Sequence, residues 1–547
     1  MRLLIVGGVA GGMSAATRAR RLDERAEIIV FEKGPHVSFA TCGLPYHIGG
    51  VIEDRDDLVV QTPEHLRLRF SLDVRTRTEV TAINRARKKL GVRDLNEERA
   101  YTEAYDKLIL SPGAEPVRPP IPGIDDAAVY ALRNMEDMDR ISAAVGAKRS
   151  GRAVCIGGGF IGLEMAENLV ARRWRVALVE MLHQVMPALD REMAEPVHQH
   201  LREKGVELHL GSAAAAIERK GRRLSVRLQN GTALPCDLVV LGTGLRPNTG
   251  LARQAGLEIG PTGGIKVDQH MRTSDPDIYA VGDAAEVTDY VTGRPTLTPL
   301  AGPANRQGRI AADNACGRSS TFRGTQGTAI VRAFDLAVAC TGANEKTLRK
   351  LGMPYQKVYI HPFSHAGYYP GAASMSLKLL FSTPDGRLLG VQAVGTDGVD
   401  KRIDVLATAI QARMTVHDLE QVELAYAPQY GAAKDPVNMA AFVAANYLRG
   451  DVDIVQADEL GDEAALLDVR TAGEYQKGHM PGAMNIPVDE LRGRLDELPR
   501  DRRLVVYCGV GLRAYIACRI LSQHGFRAAN VPGGYLTYQH YRPQLPG

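Results

Sequence analysis

The chain opens on "RLLIVGGVAGGMSAATRARRLDERAEIIVFEKG", where a short apolar strand gives way to a glycine-rich turn, an Ala-rich helix and a second apolar strand ending at Glu32. That alternation predicts a βαβ unit. A second copy, "RAVCIGGGFIGLEMAENLVARRWRVALVEM", repeats the pattern and ends its second strand at Glu180. Between and after the copies, "LILSPGAEP", "VVLGTGLRPN" and "TSDPDIYAVGDAAEV" read as short strands ending in small residues, which bring backbone beside a ligand. From about Thr325 to Tyr447 the texture changes. There "TAIVRAFDLAVACTG", "KVYIHPF" and "MSLKLLFS" read as strands and "KRIDVLATAIQARM" as a helix, together a separate α+β domain. After a linker near Arg449 to Asp453 the pattern restarts with "AALLDVR", "GHMPGAMNIP", "RRLVVYCGVGLRAYIACRILSQHG" and "AANVPGGY", a small α/β module.

At 547 residues the chain is too long for one core. The predicted class is α/β with two Rossmann-like dinucleotide-binding domains, an α+β domain and a C-terminal α/β domain. The expected division gives 1–110 with 245–324 to the first dinucleotide, 111–244 to the second, 325–447 to the α+β domain and 454–547 to the module. Hydrophobic residues make up 45% and charged residues 24%, the balance of an ordinary soluble protein. The net charge is +4 with no long Lys/Arg run, so nothing argues for nucleic acid. Apolar stretches such as "AALLDV" and "LIVGGVAGG" fall short of the roughly 18 residues of a membrane helix, and "MRLLIVGG" lacks a secretory pattern. A cytoplasmic enzyme is expected.

The glycines carry the first chemistry. Gly157, Gly159 and Gly162 complete G-x-G-x-x-G, and Ala166 suits close helix packing; in the first copy Gly7 and Gly12 hold the outer places and Val9 the middle one. A pyrophosphate wants the backbone N–H groups and the positive end of the helix beginning near Ala10. Glu32 is suited to accept hydrogen bonds from a ribose, although a glycine-rich turn with a surface Glu reads the same way. Glu180 repels a 2′-phosphate, and "MLHQ" after it supplies no cluster of basic residues, which favours NADH over NADPH.

Seven cysteines, none in a CxxC pair, argue against a disulfide scaffold and a thiolate zinc site, and no metal is expected. Cys155, Cys236, Cys316, Cys340 and Cys518 read as structural. Cys42 in "VSFATCGLPY" does not, because Ser38, Thr41 and Gly43 around it are not core-like. A thiol attacks sulfur as its thiolate, whose pKa falls from about 8.5 to about 3.5–7.5 at a helix N-terminus or near positive charge, and "CGLPYHI" is expected to start such a helix. With no second thiol three to five residues away, Cys42 needs a sulfur brought from outside or a higher oxidation state of its own. Cys508 follows "RLVVY" and opens the loop Gly509, Val510, Gly511, Leu512 and Arg513. Its N–H groups are expected to curl round the sulfur, as an anion cradle, before a helix from about Ala514.

The two dinucleotide units, the "GD" strand and the α+β domain resemble the pyridine nucleotide-disulfide oxidoreductase superfamily over roughly residues 1 to 447. Its members bind FAD and NAD(P)H and form homodimers. "SFATCGLPYHIGG" and "AYAPQYGAAKDPVNMA" resemble the single-cysteine branch that contains coenzyme A disulfide reductase, NADH oxidase and NADH peroxidase. The tail, with "LLDVRTAGEYQKGHMPGAMNIP", resembles a rhodanese; Asp468 and Arg470 would support its loop. The fusion is similar to the coenzyme A disulfide reductase/rhodanese group, which includes NADH-dependent persulfide reductases.

The resemblance implies site residues. Gly7, Ala10, Gly11, Glu32, Lys33, Ser111 and Gly113 would meet FAD, Gly282 and Asp283 its ribityl chain, and Leu300 and Ala301 would present backbone to its ring. Gly157, Gly159, Ile161, Gly162, Glu180 and Gly244 would meet NADH, with Phe160 as an aromatic gate. Tyr368 and Tyr426 would approach the thiol of the other subunit and protonate the leaving sulfur. Arg18, Arg21, Ser38 and Thr41 would line a coenzyme A pocket, the arginines facing its phosphates, unless they form a solvated helix face. Thr41 stands where many relatives carry Asn. The implied reaction takes sulfane sulfur onto Cys508, hands it to a thiol such as coenzyme A, and lets Cys42 attack the persulfide or disulfide while NADH supplies electrons through FAD. Coenzyme A disulfide, coenzyme A persulfide, glutathione persulfide and polysulfide all remain open as substrates. The alternatives are an NADH oxidase or peroxidase cycling Cys42 through sulfenic acid, and a non-catalytic sulfur relay or redox sensor.

Overall fold

Residues 1–221, 223–461 and 465–542 are described by the computed structural model, and they divide into two compact units, Met1–Val185 with Gly205–Gly327 and Met186–Lys204 with Thr328–Gly547. In the first unit five parallel strands run in the order Ile278–Ala280, Lys107–Leu110, Arg2–Val6, Glu27–Phe31, Asp73–Arg75. Leu3, Leu4, Ile5, Ile28, Ile29 and Val30 are all buried, which is why the strands read as continuous apolar runs without alternation. A second parallel sheet places Glu207–Leu210, Arg175–Glu180, Arg152–Ile156, Leu238–Leu241 and Val129–Ala131 side by side. Each of these sheets is joined by a three-stranded antiparallel sheet, Thr78–Asn84 to Arg99–Ala104 in one case and Ala214–Lys220 to Cys236 in the other.

The two glycine turns obey one steric rule. Gly7 has φ 98°, and a Cβ there would stand 2.0 Å from the Ser111 carbonyl oxygen; a Cβ on Gly12 would stand 1.9 Å from that of Gly7. Gly157 has φ 109°, and a Cβ on Gly162 would lie 1.8 Å from the Gly157 oxygen. These outer glycines let the helices Ala10–Leu22 and Phe160–Ala171 ride directly on their strands. The middle places differ. Val9 caps its helix at φ −109°, where a side chain is unstrained, so the missing glycine costs nothing. A Cβ on Gly159 would meet nothing within 4 Å, so protein packing does not explain that glycine.

In the second unit an antiparallel sheet runs Ala329–Ala333, Leu336–Gly342, Leu388–Gly395, Met375–Phe381, Gln356–Ile360. Its central strand "LLGVQAVG" is buried at every residue; without polar alternation it escaped the sequence reading. The helix Arg191–Glu203, drawn from the span expected for the second dinucleotide domain, belongs to this unit. A parallel sheet follows, ordered Asp453–Ile454, Ala528–Asn530, Leu504–Tyr507, Ala465–Asp468, Met484–Asn485. Among the described residues no helix is long and apolar enough to cross a membrane.

A buried polar seam fastens these two sheets to each other. Lys378 Nζ, on the antiparallel sheet, donates to Asp190 at 2.8 Å, to Glu192 at 2.5 Å and to Glu345, and its side chain is 0% exposed. Lys357 Nζ donates to Asp458 at 3.2 Å and to Tyr541 Oη at 3.1 Å, both from the C-terminal module. The Tyr359 hydroxyl donates to Glu192 at 2.9 Å and lies 2.7 Å from that of Tyr541. His361 bridges Ser376 Oγ at 2.9 Å and Thr537 Oγ1 at 2.8 Å. Burial alone would raise the Glu345 carboxyl, but Lys378 and Lys357 outweigh it and bring it down to about 2. Asp190, Glu192 and Glu345 have the spacing of a metal site, and the Lys378 ammonium is the cation that bonds all three.

Candidate active sites

Cys42 lies in a 3-10 turn, Thr41–Gly43, which leads into the helix Leu44–Gly49, and its thiol is exposed. Glu164, in the second turn of the helix Phe160–Ala171, bears on this thiol, and the Tyr46 hydroxyl donates to Glu164 at 3.4 Å. Desolvation by the protein around it, then the charges of Glu164 and Asp283, push the Cys42 thiol up. The chain alone does not supply the lowering expected from the start of a helix. The helix that follows has only six residues, too short a dipole to outweigh two carboxylates. Burial likewise raises Glu164, to about 7, and raises Asp283, which Arg133 at 4.0 Å partly offsets. Glu164 and Tyr46 were missed from sequence; each stands four residues after a residue singled out there, Phe160 and Cys42.

The surroundings fit a dinucleotide bearing a polyol. Asp283 is partly buried, and that long contact to Arg133 is its sole ion pair among the described residues, which leaves its carboxylate oxygens available to hydroxyls. The open space in front of Gly159 admits a pyrophosphate to the helix N-terminus. Glu32 accepts from Gly8 N and Gly34 N, each at 2.8 Å, and Glu180 from Gly158 N at 2.7 Å and Leu182 N at 2.8 Å. The two carboxylates thus occupy equivalent places at the ends of equivalent strands. Gly282 N donates to Gln307 Oε1 at 2.8 Å, Gly113 and Gly244 hold φ 68° and 98°, and Ser111 N donates to Val6 O. Leu300 caps the helix Ala301–Ala315, which packs so tightly on Ala10–Leu22 that a Cβ on Gly308 would meet Gly11 O at 2.2 Å. Phe160 and Ile161 are half-buried in the first turn of their helix.

Other expected contacts are engaged within the protein. Lys33 is 70% exposed and pairs with Glu79 at 2.9 Å. Arg18 Nε donates to Asp313 at 2.7 Å, while Arg21 is exposed; Ser38 has φ 48° and Thr41 is half-buried beside Cys42.

In the second unit, the hydroxyls of Tyr368 and Tyr426 lie 2.9 Å apart at the surface. Cys508 ends the strand Leu504–Tyr507 and is buried, and Gly511 N donates to its sulfur at 3.1 Å. Gly511 at φ 104° turns the chain straight into the helix Leu512–Gln523, two residues earlier than expected, so Leu512 and Arg513 belong to the first turn and not to a long loop. The loop is braced from behind: Tyr535 N donates to Cys508 O at 2.7 Å, and the Arg470 guanidinium stacks 4.3 Å from the Tyr535 ring. Arg470 is itself fixed by Asp468, at 3.0 and 2.6 Å. In front, Arg513 makes a two-point bond to Glu474, at 2.8 and 2.7 Å, and Glu474 is held by the Thr471 capping box. Hydrogen bonding by Glu474, with the Cys508 sulfur contributing, raises the Arg513 guanidinium.

Comparison with known proteins agrees with this geometry. Residues 1–308 match the pyridine nucleotide-disulphide oxidoreductase model, 328–435 its dimerisation domain and 454–540 the rhodanese-like domain. A crystal structure of reduced Bacillus anthracis CoADR-RHD is 48% identical, with a TM-score of 0.97 over 99% of this chain and 98% of that one. A NAD-dependent persulfide reductase from A. fulgidus is 41% identical, with a TM-score of 0.93 over 98% of this chain and 100% of that one. The coenzyme A disulfide reductase of Staphylococcus haemolyticus is 35% identical over 81% of this chain and 99% of its own length. With its paired dinucleotide folds, its solitary Cys42 and its C-terminal rhodanese-like domain, the chain belongs to the pyridine nucleotide-disulphide oxidoreductase family, whose members work with FAD and NADH.

Proposed function

We propose that this enzyme uses NADH and FAD to reduce coenzyme A persulfide, coenzyme A disulfide or a related persulfide or polysulfide, with Cys508 supplying sulfane sulfur. The observation that carries the reading is the solitary thiol Cys42 beside Asp283 and Glu164, on a chain with a second thiol, Cys508, set in a rhodanese loop. Gly7, Ala10, Gly11, Glu32 and Asp283 hold FAD, and Gly159, Phe160, Gly162, Glu180 and Gly244 hold NADH. FAD held there would supply two-electron redox chemistry between NADH and sulfur. The protein by itself raises the Cys42 thiol, so its ionisation depends on the oxidised cofactor in place.

Cys42 thiolate attacks the inner sulfur of RS–SH, the sulfur–sulfur bond breaks, HS⁻ leaves and Cys42–S–S–R remains; two electrons and a proton then return Cys42–S⁻ and RSH. In a homodimer, Tyr368 and Tyr426 protonate the leaving sulfur bound to the other copy's Cys42, and Arg18 and Arg21 face coenzyme A phosphates. A water-forming NADH oxidase from Lactobacillus brevis, 28% identical with a TM-score of 0.79, covers 82% of this chain with 99% of its own length, so its own fold does not extend over the whole of this one. That leaves the rhodanese-like domain unexplained by an oxidase. The test compares NADH oxidation with coenzyme A persulfide, peroxide and oxygen, and seeks by mass spectrometry a thiol adduct on Cys42. Turnover with persulfide that Cys42→Ser abolishes is expected; equal turnover with oxygen alone overturns the reading.

A further inference from the structure

The mouth of the Cys508 site is charged and shaped in a way that bears on its sulfur donor. Arg513 is the single basic residue of the segment 508–513, and both of its terminal nitrogens are engaged by the Glu474 carboxylate. Arg470, the other nearby cation, is buried and spent on Asp468. On the loop and helix that follow the buried sulfur, Val510, Leu512 and Ile516 are 44%, 57% and 42% exposed, and Leu512 and Ile516 share one helix face. An oxyanion donor such as thiosulfate needs uncommitted cations to take its sulfonate; here the cation is neutralised and the rim is apolar.

We propose that Cys508 takes sulfane sulfur from an alkyl persulfide on an uncharged, largely apolar arm and discriminates against thiosulfate, with Glu474 setting that preference by occupying Arg513. This rests on the reading of Cys508 as a sulfur acceptor. The step needs no oxidant. Cys508 thiolate attacks the outer sulfur of RS–SH, the donor's sulfur–sulfur bond breaks, RS⁻ leaves with the electron pair and takes a proton from solvent, and Cys508–S–SH forms. Val510, Leu512 and Ile516 receive the arm; Glu474 is a positioning residue that acts through Arg513.

The test uses the full-length holoenzyme carrying Cys42→Ser, so that the reductive site is silent. Quenched mass spectrometry follows the gain of one sulfur atom on the Cys508 peptide, from thiosulfate or from pantetheine persulfide. Pantetheine persulfide is expected to load Cys508 faster. Glu474→Gln frees Arg513 and is expected to raise loading from thiosulfate by about tenfold to a hundredfold, the range of one charge-assisted hydrogen bond, while loading from pantetheine persulfide changes by less than about threefold. Because Glu474 also closes a capping box, Leu512→Lys provides a second variant that leaves the cap intact and adds a cation to the rim; its effect is expected in the same direction. Equal loading from both donors in the parent enzyme, or an unchanged donor ratio in both variants, overturns the proposal. NADH-dependent sulfide release from pantetheine persulfide by Cys508→Ser with Cys42 intact reports on the reductase reading separately.

Discussion

Replacing Lys378 by Met removes the cation at the centre of the polar seam and leaves Asp190, Glu192 and Glu345 facing one another out of water. All three carboxylates bond directly to Lys378 Nζ; without it, Lys357 at 3.1 Å and the Arg349 guanidinium at 2.6 Å still pair with Glu345, while Asp190 and Glu192 lose their direct bond to Lys378. Removing one partner of a buried charge network costs about 3–5 kcal/mol. In a domain of about 150–250 residues that lowers Tm by roughly 6–20 °C. The pH dependence adds a sign. Glu345 is held down to about 2, so its contribution is present above the unfolded value near 4.5 and lost as pH falls toward 2. In Lys378→Met the Glu345 carboxyl loses the charge that does most to hold it down, so it takes up a proton more readily and the deficit is expected to be largest at pH 7 and to shrink as pH falls through 4. Calorimetry of the full-length holoenzyme at pH 7 and pH 4 measures both points. A loss under about 1 kcal/mol at pH 7, or the same loss at both pH values, refutes the argument that the cluster is charged and balanced by Lys378.

Other predictions test the sites. Glu164→Gln removes a charge that pushes the Cys42 thiol up, so the thiolate of the oxidised holoenzyme, followed by alkylation rate, is expected to titrate at lower pH; an upward shift contradicts the placement of Glu164. Gly159→Ala is expected to leave the unfolding free energy unchanged within about 1 kcal/mol while raising the KM for NADH severalfold, whereas Gly162→Ala, whose Cβ would lie 1.8 Å from Gly157 O, is expected to prevent soluble expression. Burial, reinforced by His540, lowers His361 to about 3, and burial lowers His540 to about 4. Both are therefore neutral in the fold and charged when unfolded between about pH 4 and 6.5, so each costs about 1.4 kcal/mol of stability per unit as pH falls through that window. Proton uptake on unfolding at pH 5, measured in buffers of different ionisation enthalpy, is expected to fall by about one proton in His540→Phe.

Much of this was legible in sequence because glycine spacing records backbone sterics. Gly7, Gly12, Gly157 and Gly162 could be read as a pair of βαβ turns since no other residue fits those places. Cys42 and Cys508 stood out by their polar or loop surroundings. Three things were not legible. The strand "LLGVQAVG" has no period to detect, being buried throughout. The raised Cys42 thiol comes first from desolvation by the folded protein and then from Glu164 and Asp283, over a hundred residues away along the chain, so no local pattern announces it. The start of the Cys508 helix turned on a single positive φ at Gly511, which shortened the expected loop.

The seam between Lys357, Asp458, Tyr359 and Tyr541 has a consequence for how sulfur moves. A rhodanese module joined only by a linker can swing toward a distant thiol; one rooted in its neighbour's core by buried hydroxyls and ammonium groups is anchored like a buttress. Swinging the module away from its neighbouring sheet would first have to break these buried bonds. Cutting the chain near residue 450 would expose the Lys357 ammonium and strand its partner Tyr541, leaving two injured halves where two working domains were sought.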